Sequence, residues 1–364
     1  MTTTGRISGV GVYLFSIQLT QLTAFLPLEV LVWDIAVFSS LAVVTVISNI
    51  LVMCIWLKPD IRSYVTILLA ALSLSDSIAV ILPGICLPIV LYCSMQDIQT
   101  MYILFSVISY YIPLIFHSFS ILVTTIVAMQ QLCICAFPFK ARFLFTMRNT
   151  VIAMVTTFFI CVMMVLPYLM ISNVTAEKRL FSNNDTMLIV DVDSVLSQDF
   201  ILAYINDYLP YFRLFGIQIL PMCIVMFSMV YCVCTITRRR HQVQMSNSSQ
   251  NTMHRTTAMI CLVMTLFISG EFPTTLSLAF EIYGKDSDNY FVYWLGFTNN
   301  GVCLVNVILV VSYQLNIWVY VFMSKSFRER LLTMLSITSA RKSLIKGNNK
   351  IKNSPVNIVY RKIN

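Results

Sequence analysis

The sequence predicts an all-α membrane protein, a seven-transmembrane helix bundle with a short amphipathic eighth helix. Three observations predict it. Seven apolar segments, roughly 31–57, 64–92, 102–137, 150–171, 212–236, 256–283 and 294–323, are each long enough to cross a hydrocarbon core. Apolar residues make up 58% of the chain and charged ones only 11%. That is less than half the charge of a soluble domain, so a soluble fold is excluded. Finally, 19 of the 24 Lys and Arg fall on one side of the alternation that seven crossings impose.

A backbone in lipid must satisfy its own hydrogen bonds, so the segments are read as helices. Residues 1–30 precede them as an outer tail; the apolar run behind Arg6 also fits a signal peptide. The connections after segments 1, 3 and 5 carry Lys58, Arg62, Lys140, Arg142, Arg148, Arg238, Arg239, Arg240 and Arg255. The stretch after segment 7 carries the rest of that basic majority, and only Asp60 and Glu329 oppose it. The positive-inside rule therefore sets the N-terminus outside and the C-terminus in the cytoplasm of a plasma-membrane protein. The sequons at Asn173 and Asn184 then fall in an outer loop, where glycosylation requires them.

Segment 3 is the expected centre of the bundle. His117, Ser118, Ser120, Thr124 and Thr125 put polar groups at several depths of it, and such groups turn toward protein rather than lipid. Prolines 83, 88, 113, 167, 221 and 273 lie inside or near segment ends, where they kink helices. After segment 7, residues 325–337 place Phe327, Leu331, Met334 and Leu335 on one face and Lys325, Arg328 and Arg330 elsewhere. That pattern predicts an amphipathic helix lying on the inner leaflet. The remaining 338–364 read as a basic disordered tail.

Two acids lie deep in the segments, Asp76 and Glu271. An ionisable residue at that depth points to function. Asn49, Ser120, Ser312 and Asn316 fall at depths comparable to Asp76. This oxygen set could hold a sodium ion, or the carboxyl could simply be hydrogen-bonded with no ion. Glu271 and His117 lie at similar depth on segments expected to neighbour, so they are expected to meet. Eleven cysteines, nearly all inside apolar segments, show neither zinc spacing nor a disulfide framework and read as small packing residues. No metal or nucleophile cluster suggests an enzyme, and nothing suggests a nucleic-acid partner. Transport of ions needs a chain of intramembrane ionisable groups, and only Asp76, Glu271 and His117 qualify.

Six motifs occur in order along the segments. Ser48-Asn49-Ile50-Leu51-Val52 is similar to GNxxV, and Leu72-Ser73-Leu74-Ser75-Asp76 to LAxxD. Pro221 stands at the bulge position of segment 5, and Phe267 with Pro273 keeps the FxxxxxP spacing. Asn316-Ile317-Trp318-Val319-Tyr320 is similar to NPxxY, and the run from Tyr320 to Arg328 to the junction into an eighth helix. Residues 31–337 thus resemble a rhodopsin-like G-protein-coupled receptor. Phe116-His117-Ser118-Phe119-Ser120-Ile121, the run from Phe137 to Arg142, and Glu271-Phe272-Pro273 are similar to a narrower group. It comprises invertebrate neuropeptide receptors of the sex-peptide and myoinhibitory-peptide type and nematode serpentine class W receptors.

The resemblance implies an extracellular peptide ligand, a heterotrimeric G protein as inner partner, and signal transduction between them. It implies a ligand pocket at Tyr110, Phe116, His117 and Glu271, and switch and coupling positions at Gln130, Gln131, Arg142, Arg238, Phe267, Pro273 and Tyr320. An excess of outer acids, 12 against five bases, favours a basic ligand, and the peptide is expected to be amidated. The departures matter for coupling. Gln131 replaces the segment 3 arginine and Gln130 the acid before it. Met229 replaces a segment 5 tyrosine, and Ser106 stands where most members carry a disulfide cysteine. Atypical or absent coupling follows. The alternatives are an orphan chemoreceptor, a ligand-binding membrane protein that does not couple and, more remotely, a transporter.

Overall fold

The computed structural model describes residues 28–61, 63–86, 107–169, 173–180, 186–193, 208–242, 248–283, 299–334 and 336. Seven helices are long and apolar enough to cross a membrane. They are α1 (Leu28–Trp56), α2 (Tyr64–Ile81), α3 (Ile112–Ala136), α4 (Met147–Leu169), α5 (Leu220–Gln242), α6 (Ser248–Tyr283) and α7 (Asn299–Met323). A short helix, α8, covers 325–334. The chain is a seven-helix membrane protein of the all-α class. Most of the tail 1–30, the tail 338–364, Asn184 and Leu335 lie outside the described residues.

The helices close into a ring. α1 packs on α2, α2 on α3, α3 on α5, α5 on α6, α6 on α7 and α7 back on α1. α3 also touches α4 and α6, which gives it the central position its polar residues required. α2 is nevertheless buried over more of its span, 72% against 61%. It is wedged between α1, α3, α4 and α7, and its Ser73, Ser75, Asp76 and Ser77 are all buried. α4 and α5 show the opposite side of the same rule. Val151, Ile152, Val155, Phe159, Met163, Phe227 and Val230 are exposed, so apolar side chains face outward toward lipid.

Local rules fix the helix ends. Ser63 caps α2: its hydroxyl accepts from the Thr66 amide at 3.2 Å while the Thr66 hydroxyl accepts from the Ser63 amide at 2.7 Å. π-helical segments occur at Leu82–Cys86, Val107–Tyr111 and Arg213–Ile219. The first contains Pro83, and the other two lie just before Pro113 and Pro221. Proline removes a backbone donor and crowds the carbonyl four residues earlier, and a wider turn relieves that crowding. Pro273 sits inside α6 without ending it.

One element was not legible as such in the sequence. The stretch read as an outer loop contains an antiparallel hairpin, β1 (Asn173–Leu180) with β2 (Thr186–Asp193), in register from Asn173↔Asp193 to Leu180↔Thr186. The β-branched residues Thr186, Ile189, Val190 and Val192 explain β2.

Where α1, α7 and α8 meet, three aromatic rings form a compact cluster. Trp56 and Tyr320 lie 5.7 Å apart edge-on, and Phe327 sits 5.4 Å from Trp56 and 5.7 Å from Tyr320. Phe327 is fully buried, so α8 is pinned to the bundle as well as amphipathic. Its first turn is capped by the Ser324 hydroxyl, which accepts from the Phe327 amide at 3.2 Å. The Arg328 guanidinium donates to the Val321 and Phe322 carbonyls at the end of α7. Arg330 pairs with Asp60 at 3.0 Å and ties α8 to the α1–α2 connection.

Candidate functional site

The close approach of α6 and α7 positions the site. A Cβ on Gly270 would run into the Ser312 side chain, so only glycine lets the two helices meet here. The next residues in each chain, Glu271 and Tyr313, are buried at the same level. His117 of α3 completes the group. Its Nδ1 lies 2.7 Å from the Tyr313 hydroxyl, and its Nε2 lies 3.6 Å from Glu271 Oε2. With Tyr313 donating to Nδ1, the imidazole proton sits on Nε2 and faces the carboxylate. A separation of 3.6 Å is an ion-pair approach, longer than a formed hydrogen bond.

Arg213 joins this region from the π-helical segment ahead of α5, which packs against both α3 and α6 and also carries Gln218. Arg213 is 3% exposed, and its charge acts on both His117 and Glu271. Among the described residues, buried Gln218 has no hydrogen-bond partner for either amide atom, and neither Glu271 Oε2 nor Ser118 Oγ has one. The arrangement therefore holds buried donors and acceptors whose bonding capacity is not spent among the described residues. An unsatisfied buried polar group costs about 1–3 kcal/mol. Such a cost persists where a bound molecule or water is to complete the set.

Arg213 corrects one expectation. The five outer bases include Arg213 and the 12 outer acids include Glu281, but both of these side chains are buried. Removing one charge of each sign leaves the acidic excess of that tally unchanged. A clue existed in the run Leu209–Gln218, which embeds Arg213 and Gln218 in otherwise apolar residues.

A second site lies deeper. Asp76 Oδ1 accepts from the Ser120 hydroxyl at 2.5 Å. Both border a small void lined also by Thr124, Phe267, Ser312, Tyr313 and Asn316, with room of about 10 Å³ for the centre of a water molecule. That is enough for about one water-sized particle. Thr124 Oγ1 is buried without a partner. The nearest polar atoms are oxygens, a donor set that suits a hard cation. Asn49 is buried in α1 with its Nδ2 unpartnered, but it does not line this void. Tyr313 belongs to both sites.

The remaining positions are spread out. Phe116 packs against Phe158 of α4 with ring centroids 5.8 Å apart and the planes tilted by 49°. The side chains of Tyr110, Arg142 and Asn173 lie outside the described residues; Asn173 opens β1. Gln130 and Gln131 are both buried, and Gln130 Nε2 donates to Thr150 Oγ1 at 3.4 Å, joining α3 to α4. Arg238 is exposed near the end of α5. The Tyr320 hydroxyl is buried without a partner.

No protein-family model and no curated protein matches the chain. The resemblance therefore rests on the motifs and on the seven-helix architecture.

Proposed function

We propose that this chain is a rhodopsin-like G-protein-coupled receptor for an extracellular neuropeptide, basic and amidated, with atypical coupling to its G protein. The observation that carries the reading is the unspent bonding capacity of the His117–Glu271–Tyr313 group and of Gln218 on the segment that carries Arg213. In the expected orientation, N-terminus outside, that group lies toward the outer end of the bundle. Glu271 receives a cationic or amide group of the ligand, and His117 reports its arrival to α7 through Tyr313. Asp76, Ser120, Thr124, Ser312 and Asn316 would hold a sodium ion if one binds, and its charge would balance the Asp76 carboxylate. Asn173 and Asn184 carry the glycans.

The test is a screen of short amidated peptides on cells displaying the full chain. Binding that falls with rising salt, and at least tenfold on Glu271→Gln, about 1.4 kcal/mol, supports the reading. Ligands that are acidic, or binding indifferent to Glu271, overturn it. Substrate flux in vesicles carrying the purified chain would favour transport instead.

A second reading has its own support. Gln130 is engaged with Thr150 inside the protein, and neither Gln130 nor Gln131 brings a charge to the cytoplasmic end. A guanidinium offers five donors and a fixed charge where a glutamine offers one amide. The chain then binds ligand without productive coupling. Ligand-driven nucleotide exchange in a purified system decides between the two, comparing the native chain with Gln131→Arg. Robust exchange by the native chain, not improved by the substitution, eliminates the non-coupling reading.

A further inference from the structure

Three thiols from three different helices meet near the end of the bundle where α3 and α5 finish and α6 begins. Cys135 is in the last turn of α3, Cys232 is in α5 and Cys261 is in α6. The Cys232 thiol is in hydrogen-bonding contact with both Cys135 and Cys261. All three are thiols rather than disulfides. The contact is not an accident of one rotamer, because the helices pair here over more than one turn. One turn away from Cys232, Met229 Sδ lies 3.2 Å from the Thr265 hydroxyl, one turn from Cys261. The pairs 229/265 and 232/261 are what two antiparallel helices in register produce. α5 packs against α3 as well, which brings Cys135 to the other side of Cys232.

A soft metal ion is one chemistry for clustered thiols. Among the described residues, however, no group of three His, Cys, Asp or Glu has the geometry to hold one. Two-electron oxidation to a disulfide needs only two sulfurs in contact and an oxidant, and a third thiol allows the bond to exchange. We propose that Cys135, Cys232 and Cys261 form a peroxide-sensitive clamp, in which a disulfide made by Cys232 fixes α5 to α3 or α6.

The step balances with hydrogen peroxide as oxidant. A thiolate sulfur attacks one peroxide oxygen, the O–O bond breaks, and a sulfenic acid and one water form after protonation. A neighbouring thiol then displaces that hydroxyl as a second water, leaving the disulfide. Cys135 is the natural first target, being half-buried where Cys232 and Cys261 are 0% and 8% exposed. Cys232 closes the bond, and Cys261 stands in contact with it, ready to shift the link from α3–α5 to α5–α6 by thiol–disulfide exchange. A disulfide holds its two Cα atoms within about 4.4–6.8 Å, so the stapled helices can no longer separate at this level. The inference does not depend on the receptor reading.

The test uses the full chain purified in detergent. After graded hydrogen peroxide, free thiols are alkylated under denaturing conditions and the digest is mapped by mass spectrometry. The expected product is a cross-linked pair containing Cys232 with Cys135 or Cys261, lighter by two hydrogens and released by dithiothreitol. Cys232→Ser abolishes it; so does the double variant Cys135→Ala, Cys261→Ala, which keeps the probe usable if the serine variant does not fold. Amide hydrogen exchange in the adjoining turns of α5 slows on oxidation and recovers on reduction. The proposal falls if Cys232 remains fully alkylatable at peroxide levels that consume any other thiol of the chain. It falls equally if the cross-links that form exclude Cys232, or if the linked chain exchanges as fast as the reduced one.

Discussion

The two ends of the bundle are held together by different contacts. Around His117, Glu271 and Gln218, polar atoms are buried with partners missing. Around Trp56, Tyr320 and Phe327, aromatic rings interlock, the backbone ends are capped by Ser324 and Arg328, and an ion pair closes the rim. Trp56 Nε1 and the Tyr320 hydroxyl also lack a hydrogen-bond partner among the described residues, but at that end ring packing, two helix-end contacts and an ion pair offset the cost. On the proposed reading the first end receives a ligand and the second holds the fold, and substitutions at the two ends should then behave differently.

The largest effect is expected at the aromatic end. Phe327→Ala empties a fully buried ring site and should cost about 3–5 kcal/mol, read as a lower thermal midpoint in detergent, with ligand affinity little changed for molecules that remain folded. A midpoint like that of the native chain would show that α8 is not pinned. Next comes Gly270→Ala, which forces α6 from α7 against Ser312 and should cost about 1–3 kcal/mol. Because Glu271 and Tyr313 ride on the same approach, this variant should lose binding along with stability, unlike Phe327→Ala. The sharpest contrast is Gln218→Met, which removes two unpartnered amide atoms at nearly constant volume. It should raise stability by about 1 kcal/mol while weakening ligand binding. A destabilised Gln218→Met would mean that the amide is satisfied within the protein. The smallest effect is expected for Asp60→Asn. That ion pair joins partly exposed side chains, so its loss should cost no more than about 0.5 kcal/mol and vanish at high salt.

The helices could be read from the sequence because each signal was local. Apolar length gave seven spans, and polar residues at several depths gave α3 its central place. Asp76 with Ser120, and His117 with Glu271, could be anticipated because buried ionisable groups stand out in an apolar background. What escaped were features set by pairs of distant residues. Arg213 looked like a loop base because nothing nearby in sequence shows that its segment packs on α3 and α6. Tyr313 looked like one of many aromatic residues until Gly270 brought α6 against its helix. The thiols of Cys135, Cys232 and Cys261 read separately as small packing residues; only the register of α5 on α6 joins them. The hairpin escaped because its strands pair only with each other, beside spans whose hydropathy dominates the reading.

Tyr313 touches His117 with its hydroxyl and forms part of the wall of the Asp76 void. If the proposed ligand and cation both bind, Tyr313 would link their sites. Whatever pulls the imidazole off the phenol alters the shape of the void, and an occupant of the void in turn biases where the phenol points. The coupling is symmetric by thermodynamic necessity: if a cation in the void changes ligand affinity by some factor, the ligand changes cation affinity by the same factor. One oxygen on one side chain would make the bundle a two-input balance, reading salt composition and ligand concentration as a product rather than a sum.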